Sequence, residues 1–195
     1  MDIITLKLTS ASALLMHSDR LANPLDPMTK AHKVLTSKRS KTDEDHELIA
    51  RSEWRGSLYW SDGIGPYLPS ANIRSAIVEG GKLSKLGKAL QRGTLILDDK
   101  VPLQYTGPRD PETLWSSGQF YDCRSVVVSG KRLMRYRPLF LSWLVQVDIT
   151  YDASVIDAAQ ILQSARAAGN LIGIGDFRPN KGGNFGRFDV EQVQA

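Results

Sequence analysis

The stretch Gly169-Asn-Leu-Ile-Gly-Ile-Gly-Asp-Phe-Arg-Pro-Asn-Lys-Gly-Gly-Asn-Phe-Gly-Arg187 holds six of the protein's 16 glycines. Arg178, Lys181 and Arg187 are interleaved with those glycines against one acid, Asp176. Glycine at this density marks backbone that takes φ > 0 or approaches other backbone closely. Cations and amide N–H groups offered from one loop, with Gly182 and Gly183 between the cations, suit a phosphate chain. The competing reading is a long surface turn that needs glycine for geometry alone. No nucleotide fingerprint is present. Gly173-Ile-Gly175 meets Arg178 where a dinucleotide loop wants a third glycine, and no Gly-Lys-Ser/Thr ending occurs.

Two further clusters of cations lie elsewhere. Lys30, Lys33, Lys38, Arg39 and Lys41 form a run with no acid among them, followed at once by Asp43, Glu44, Asp45 and Glu47. Between Arg124 and Arg137 there are five basic residues and no acid, and Lys131, Arg132, Arg135 and Arg137 belong to one prospective strand arm. Arg74 adds a cation near the start of a prospective helix. Any single cluster is most simply a solvated face. Three clusters on one chain, rich in guanidinium groups that grip phosphate bidentately, point to a polyanionic partner.

Candidates for catalysis are few. His17, His32 and His46 have no partner at a telling spacing, and an isolated histidine is more often a hydrogen-bonded structural one. No His/Cys/Asp/Glu cluster has metal-ligand spacing, so neither a metal nor another cofactor is expected. Cys123 is expected to pack rather than react. Trp54, Trp60, Trp115 and Trp143 read as packing residues, with Tyr59-Trp60 a minor candidate for stacking a base.

At 195 residues, 42% hydrophobic and 24% charged, the chain has the size and composition of one globular domain with room for an insertion. A net charge of +4 is mild, so its distribution matters more than its sum. No apolar run approaches the ~20 residues of a membrane span, and the N-terminus reads as a strand rather than a signal peptide. The single cysteine fits a reducing cytoplasm, the expected location.

Several elements must position these groups. Ile3 to Thr9 alternates with Ile4, Leu6 and Leu8 on one face, a half-buried strand. From about 16 to 62 periodicity is lost around Pro24 and Pro27, which predicts an insertion. A helix opens near Ser70, its expected N-cap, with Ile73, Ala76, Ile77 and Gly80 on one stripe, and Gly80-Gly81 marks a kink or an end. A short strand is expected at 94–97, and Ser129-Gly130 predicts a tight hairpin between 125–128 and 131–136. Trp143 to Tyr151 is the clearest strand. Ser154 to Asp157 suggests a capping box for a helix carrying Val155, Ala158, Ala159, Leu162 and Ala165, with Gly169 as its C′ residue. Phe188 and Val190 face inward on a last strand. Without insertions the order is β-α-β-β-α-β, the α+β class in its ferredoxin-like (RRM-like) form. Strand one presents Ile3, Thr5, Lys7 and Thr9 outward, with no aromatic, so backbone contact is favoured over base stacking on the sheet.

Leu68-Pro-Ser-Ala-Asn-Ile-Arg-Ser-Ala-Ile77, the insertion after strand one and Gly182-Gly-Asn-Phe-Gly-Arg-Phe188 together resemble the RAMP superfamily, over residues 1–9, 66–98 and 139–193. Within it the chain looks most like the repeating backbone subunits of CRISPR effector complexes, which coat a guide RNA as a filament. The resemblance implies single-stranded RNA as partner, with single-stranded DNA left open, together with copies of the same chain and other ribonucleoprotein subunits. It makes the 124–137 hairpin a thumb-like element. It also makes Asp26, by position, comparable to the aspartate of target-cleaving relatives. A RAMP-fold endoribonuclease using His17 and a protein-binding module on the same fold are the alternatives.

Overall fold

The computed structural model describes residues 1–193. Its elements in chain order are β1 (Asp2–Ser10), β2 (Leu14–Leu15), α1 (Pro27–Thr36), α2 (Asp43–Ser57), β3 (Trp60–Ser61), β4 (Gly65–Pro69), α3 (Ser70–Lys82), α4 (Gly87–Gly93), β5 (Thr94–Leu95), β6 (Lys100–Pro102), α5 (Pro111–Ser116), β7 (Tyr121–Val128), β8 (Lys131–Phe140), β9 (Leu144–Tyr151), α6 (Ala158–Ala167) and β10 (Phe188–Gln192). Mixed α and β elements with antiparallel sheets result. The chain divides into two units, one of Met1–Leu14, Trp60–Thr106 and Leu141 onward, the other of Leu15–Tyr59 and Gly107–Phe140.

The first unit is built on a sheet in the order β10-β1-β9-β5, every neighbour antiparallel. Strands one and last thus share a sheet, with Leu8 opposite both Val190 and Val145. Period-2 alternation puts Ile4, Leu6, Leu8, Val145, Val147, Ile149, Phe188 and Val190 on one buried face. Ile77 of α3 and Ile161 of α6 meet Ile149 on that face. The opposite face carries Thr5, whose hydroxyl donates to Asp148 at 2.7 Å, and Lys7, paired with Glu191 at 3.5 Å. A small sheet, β3-β4-β6, completes the unit.

Several local expectations shift here. Ser70 does not cap α3: Pro69 takes the cap position, and the Ser70 N–H donates to the Asp99 carbonyl at 3.0 Å. The helix does end at Lys82, one residue past Gly80-Gly81, and a side chain at Gly80 would lie 2.4 Å from the Ser164 carbonyl oxygen of α6. Glycine is what lets the two helices approach. The capping box of α6 is Asp157 with Gln160, while Ser154 turns back to Asp152, donating through both N–H and hydroxyl. This later start moves the buried stripe to Ile161, Ser164 and Ala165 and leaves Val155 exposed. Gly169 does not end the helix either. A π turn continues it over 168–172, and Gly173, at φ +72°, terminates it.

In the second unit the stretch that lacked periodicity forms two capped helices. Asp26 caps α1, accepting from the Met28 N–H at 2.8 Å, and Thr42 with Asp45 forms a full capping box on α2. The pattern was hard to see because α2 is mainly polar and buries just Asp45, Ala50, Trp54, Gly56 and Ser57. The hairpin β7-β8 turns at Ser129 (φ +49°) and Gly130 (φ +78°), as the sequence predicts, and its register pairs Cys123 with Tyr136. Trp54 is fully buried and donates its indole N–H to the Phe120 carbonyl at 2.9 Å.

Candidate functional site

The glycine-rich loop leaves the π turn and folds back on itself. Ile174 N–H donates to the Gly186 carbonyl at 2.9 Å, Gly186 N–H to the Ala13 carbonyl at 2.7 Å, and Phe185 N–H to the Phe177 carbonyl at 3.2 Å. Two glycines show opposite reasons for being there. At Gly186, φ is +68° and a Cβ would sit 1.7 Å from the Ile174 carbonyl oxygen, so the backbone crossing itself excludes any side chain. At Gly182, φ is +78° but nothing lies within 4 Å of the Cβ position, so only the left-handed backbone and open space require glycine.

The amides do not face outward as the sequence suggested. Lys181 N–H and Gly183 N–H donate to the Arg178 carbonyl at 2.8 and 3.1 Å, and Gly182 N–H to Pro179 at 3.0 Å. The loop closes these donors internally, so recognition of an anion there falls to side chains. Arg178 is half-buried and gives one N–H to the Gly175 carbonyl at 2.9 Å. Arg187 is half-buried and donates to the Asn170 carbonyl. Each guanidinium has five donors, so these bonds aim the groups without exhausting them. Lys181 is exposed. Arg74 is different in kind: it donates to the Thr94 carbonyl at 3.2 Å and the Gln91 carbonyl at 2.5 Å, closing the end of α4.

The remaining cations belong to the second unit. Lys30, Lys33 and Arg39 are exposed and form no ion pair among the described residues. Lys38 pairs with Asp45 at 2.5 Å, and Lys41 donates to the Lys38 carbonyl at 2.6 Å, so the acids that follow this basic run partly neutralise it. Lys131 and Arg132 stand exposed at the hairpin tip. Arg135 is held by Glu53 at 2.6 Å, and Glu53 also accepts from the Tyr136 N–H at 3.2 Å. Arg135 therefore fastens β8 to α2. Arg137 is half-buried. Arg124 pairs through two N–H groups with Asp122, two residues before it.

The catalytic candidates are not assembled. Asp26 caps α1 and pairs with Arg20 at 2.9 Å, and that bond holds its carboxyl below the usual range. His17 is exposed, and its carbonyl accepts from the Tyr59 hydroxyl at 3.3 Å. His32 faces Ser52 at 3.1 Å, and burial lowers its pKa. Among the described residues no three His, Cys, Asp or Glu side chains could hold a metal. Cys123, expected to pack, is exposed beside Tyr136. Its hydrogen bond to the Tyr136 phenol, with burial adding to it, pushes that phenol up to about 12.

One feature escaped sequence reasoning. Trp115 of α5, Tyr121 of β7 and Tyr136 of β8 join His46, Glu47 and Ala50 of α2 around a cleft of about 420 Å³. The hairpin register makes Tyr121 and Tyr136 diagonal neighbours on one face, a signal readable from Ser129-Gly130 by counting back. No family model matches the chain, and no curated protein matches it.

Proposed function

We propose that this protein binds single-stranded nucleic acid, RNA foremost, along its phosphate backbone, and adds to a strand as repeated copies. The observation that carries this reading is the Lys181-Gly182 edge of the loop. There an exposed ammonium group stands beside open glycine backbone, on a loop pinned by its own hydrogen bonds and carrying two further cations, Arg178 and Arg187, each tied to a backbone carbonyl. A rigid, positively charged edge loses little conformational freedom when a phosphate docks. The strand order β10-β1-β9-β5, with α3 lying between β1 and β5 in the chain and α6 between β9 and β10, supports a ferredoxin-like reading of this unit. That arrangement agrees with the resemblance of the chain to guide-RNA-coating subunits of the RAMP superfamily. The outward sheet face favours loops over the sheet as the contact. It bears Asp148, Asp189 and Glu191 against Lys7, and none of its strands offers an outward aromatic.

The test is equilibrium binding of labelled single strands of unrelated sequence. Lys181→Ala, and Lys131→Ala with Arg132→Ala, should weaken binding to every strand by a similar factor, because a phosphate contact carries no sequence information. The native mass of particles on strands of increasing length should rise in steps of one chain per constant increment. Binding by the variants as tight as wild type at moderate salt would refute the reading.

A further inference from the structure

The aromatic cleft of the second unit has a construction that phosphate binding does not use. Its rings are in mutual contact, with Trp115 4.9 Å from Tyr121 and 6.1 Å from Tyr136, and Tyr121 5.9 Å from Tyr136. Rings this close leave no slot among themselves and enclose no cage for a cation, so a ligand must lie on their outer surface. All three are half-buried, supported from beneath by Trp54 at 5.6 Å from Trp115. Ion pairs fix the walls: Arg51 of α2 pairs with Glu112 of α5, and Glu53 of α2 holds Arg135 of β8. Among the described residues no lysine or arginine lines the cleft, while the exposed Glu47 and His46 belong to its lining. An anionic ligand is therefore disfavoured. A flat, uncharged ring with N–H donors on its edge is favoured, stacked on π surface and donating to a carboxylate.

We propose that this cleft takes one unstacked nucleobase of a bound strand, Glu47 accepting from its amino or imino edge; the inference rests on the single-strand reading above. The same hairpin carries Lys131 and Arg132 at its tip, so phosphate contact and base capture sit on one arm. Tyr136 and Arg132 are separated along β8 by about 13 Å at the usual strand rise. Of the common bases guanine offers two adjacent donors to a carboxylate, so it should be preferred over uracil, which offers one.

The experiment compares binding of the full chain to a base-bearing RNA strand and to an abasic strand with the same number of phosphates. Wild type should favour the base-bearing strand by about tenfold, the scale of one base stacked on aromatics. Tyr121→Leu and Glu47→Gln should each shrink that ratio while leaving abasic binding unchanged. Glu47 is exposed, so Glu47→Gln decides alone if Tyr121→Leu fails to give a wild-type circular dichroism spectrum. Equal binding of both strands by wild type overturns the cleft and leaves the backbone reading standing. Discrimination that survives Glu47→Gln and a folded Tyr121→Leu also overturns it. Binding of neither strand overturns both.

Discussion

Replacing Gly186 and Gly182 separately by alanine should divide the glycine loop into structure and function. Both positions have positive φ, where an alanine costs roughly 1–2 kcal/mol. At Gly186 the new Cβ would also lie 1.7 Å from the carbonyl oxygen of Ile174, whose own N–H donates to the Gly186 carbonyl in the loop's return crossing. Backbone cannot step aside as a flexible side chain can, and overpacking of this kind adds about 1–3 kcal/mol. The sum is about 3 kcal/mol, or roughly 6–12 °C in melting temperature for a chain of this size. Gly182→Ala meets no atom, so its loss should stay near the backbone cost alone, roughly 2–8 °C and below that of Gly186→Ala. Binding should show the opposite order: Gly182→Ala places a methyl group on the open edge beside Lys181 and weakens single-strand affinity in a protein that is still folded. The assays are thermal melting by circular dichroism and strand binding well below each melting temperature. If Gly186→Ala melts like wild type, the backbone crossing is not as described and the reasoning fails.

Gly80→Ala should lower the melting temperature by several degrees, reversing the gain of about 1 kcal/mol that helix propensity alone suggests. Its Cβ would meet the Ser164 carbonyl of α6, whereas Gly81→Ala meets the movable end of Leu90 and should be milder. Arg135→Ala should destabilise the second unit because it strips Glu53 of its partner, while Lys131→Ala at the exposed tip should leave melting within about 1–2 °C of wild type. His32 has its folded pKa lowered below the usual 6.5, first by burial. Its contribution to stability is therefore present above that value and lost as pH falls below it. His32→Gln should flatten the decline in melting temperature between about pH 7 and pH 5, and an unchanged slope would remove His32 from that account.

What was legible in the sequence followed from water on one side. β1, β9 and β10 alternate cleanly because each has one dry and one wet face, and Ser129-Gly130 declares its turn through the demand for positive φ. The phase of α6 was not legible, since Ser154 and Asp157 are both competent caps and the choice depends on Asp152 capturing Ser154. α1 and α2 were hidden because helices that bury a narrow side leave little periodic signal. Arg74, Arg135 and Lys38 looked like phosphate contacts because sequence shows charge without partners; their partners lie 20, 82 and 7 residues away. The outward amides of the glycine loop failed for a related reason. Glycine spacing says that the backbone bends sharply, and the direction its N–H groups take depends on where it meets itself. The aromatic cleft required α2, α5 and the hairpin register at once, which no single window of sequence contains.

The most direct test of the central claim is the salt dependence of single-strand binding. Log affinity should fall linearly with log salt concentration, by about 0.7 per phosphate neutralised on a single strand. A variant combining Lys131→Ala, Arg132→Ala and Lys181→Ala should then show a slope shallower by about 2, for strands of any sequence. A wild-type affinity that is insensitive to salt, or a slope the triple variant leaves unchanged, would contradict the account.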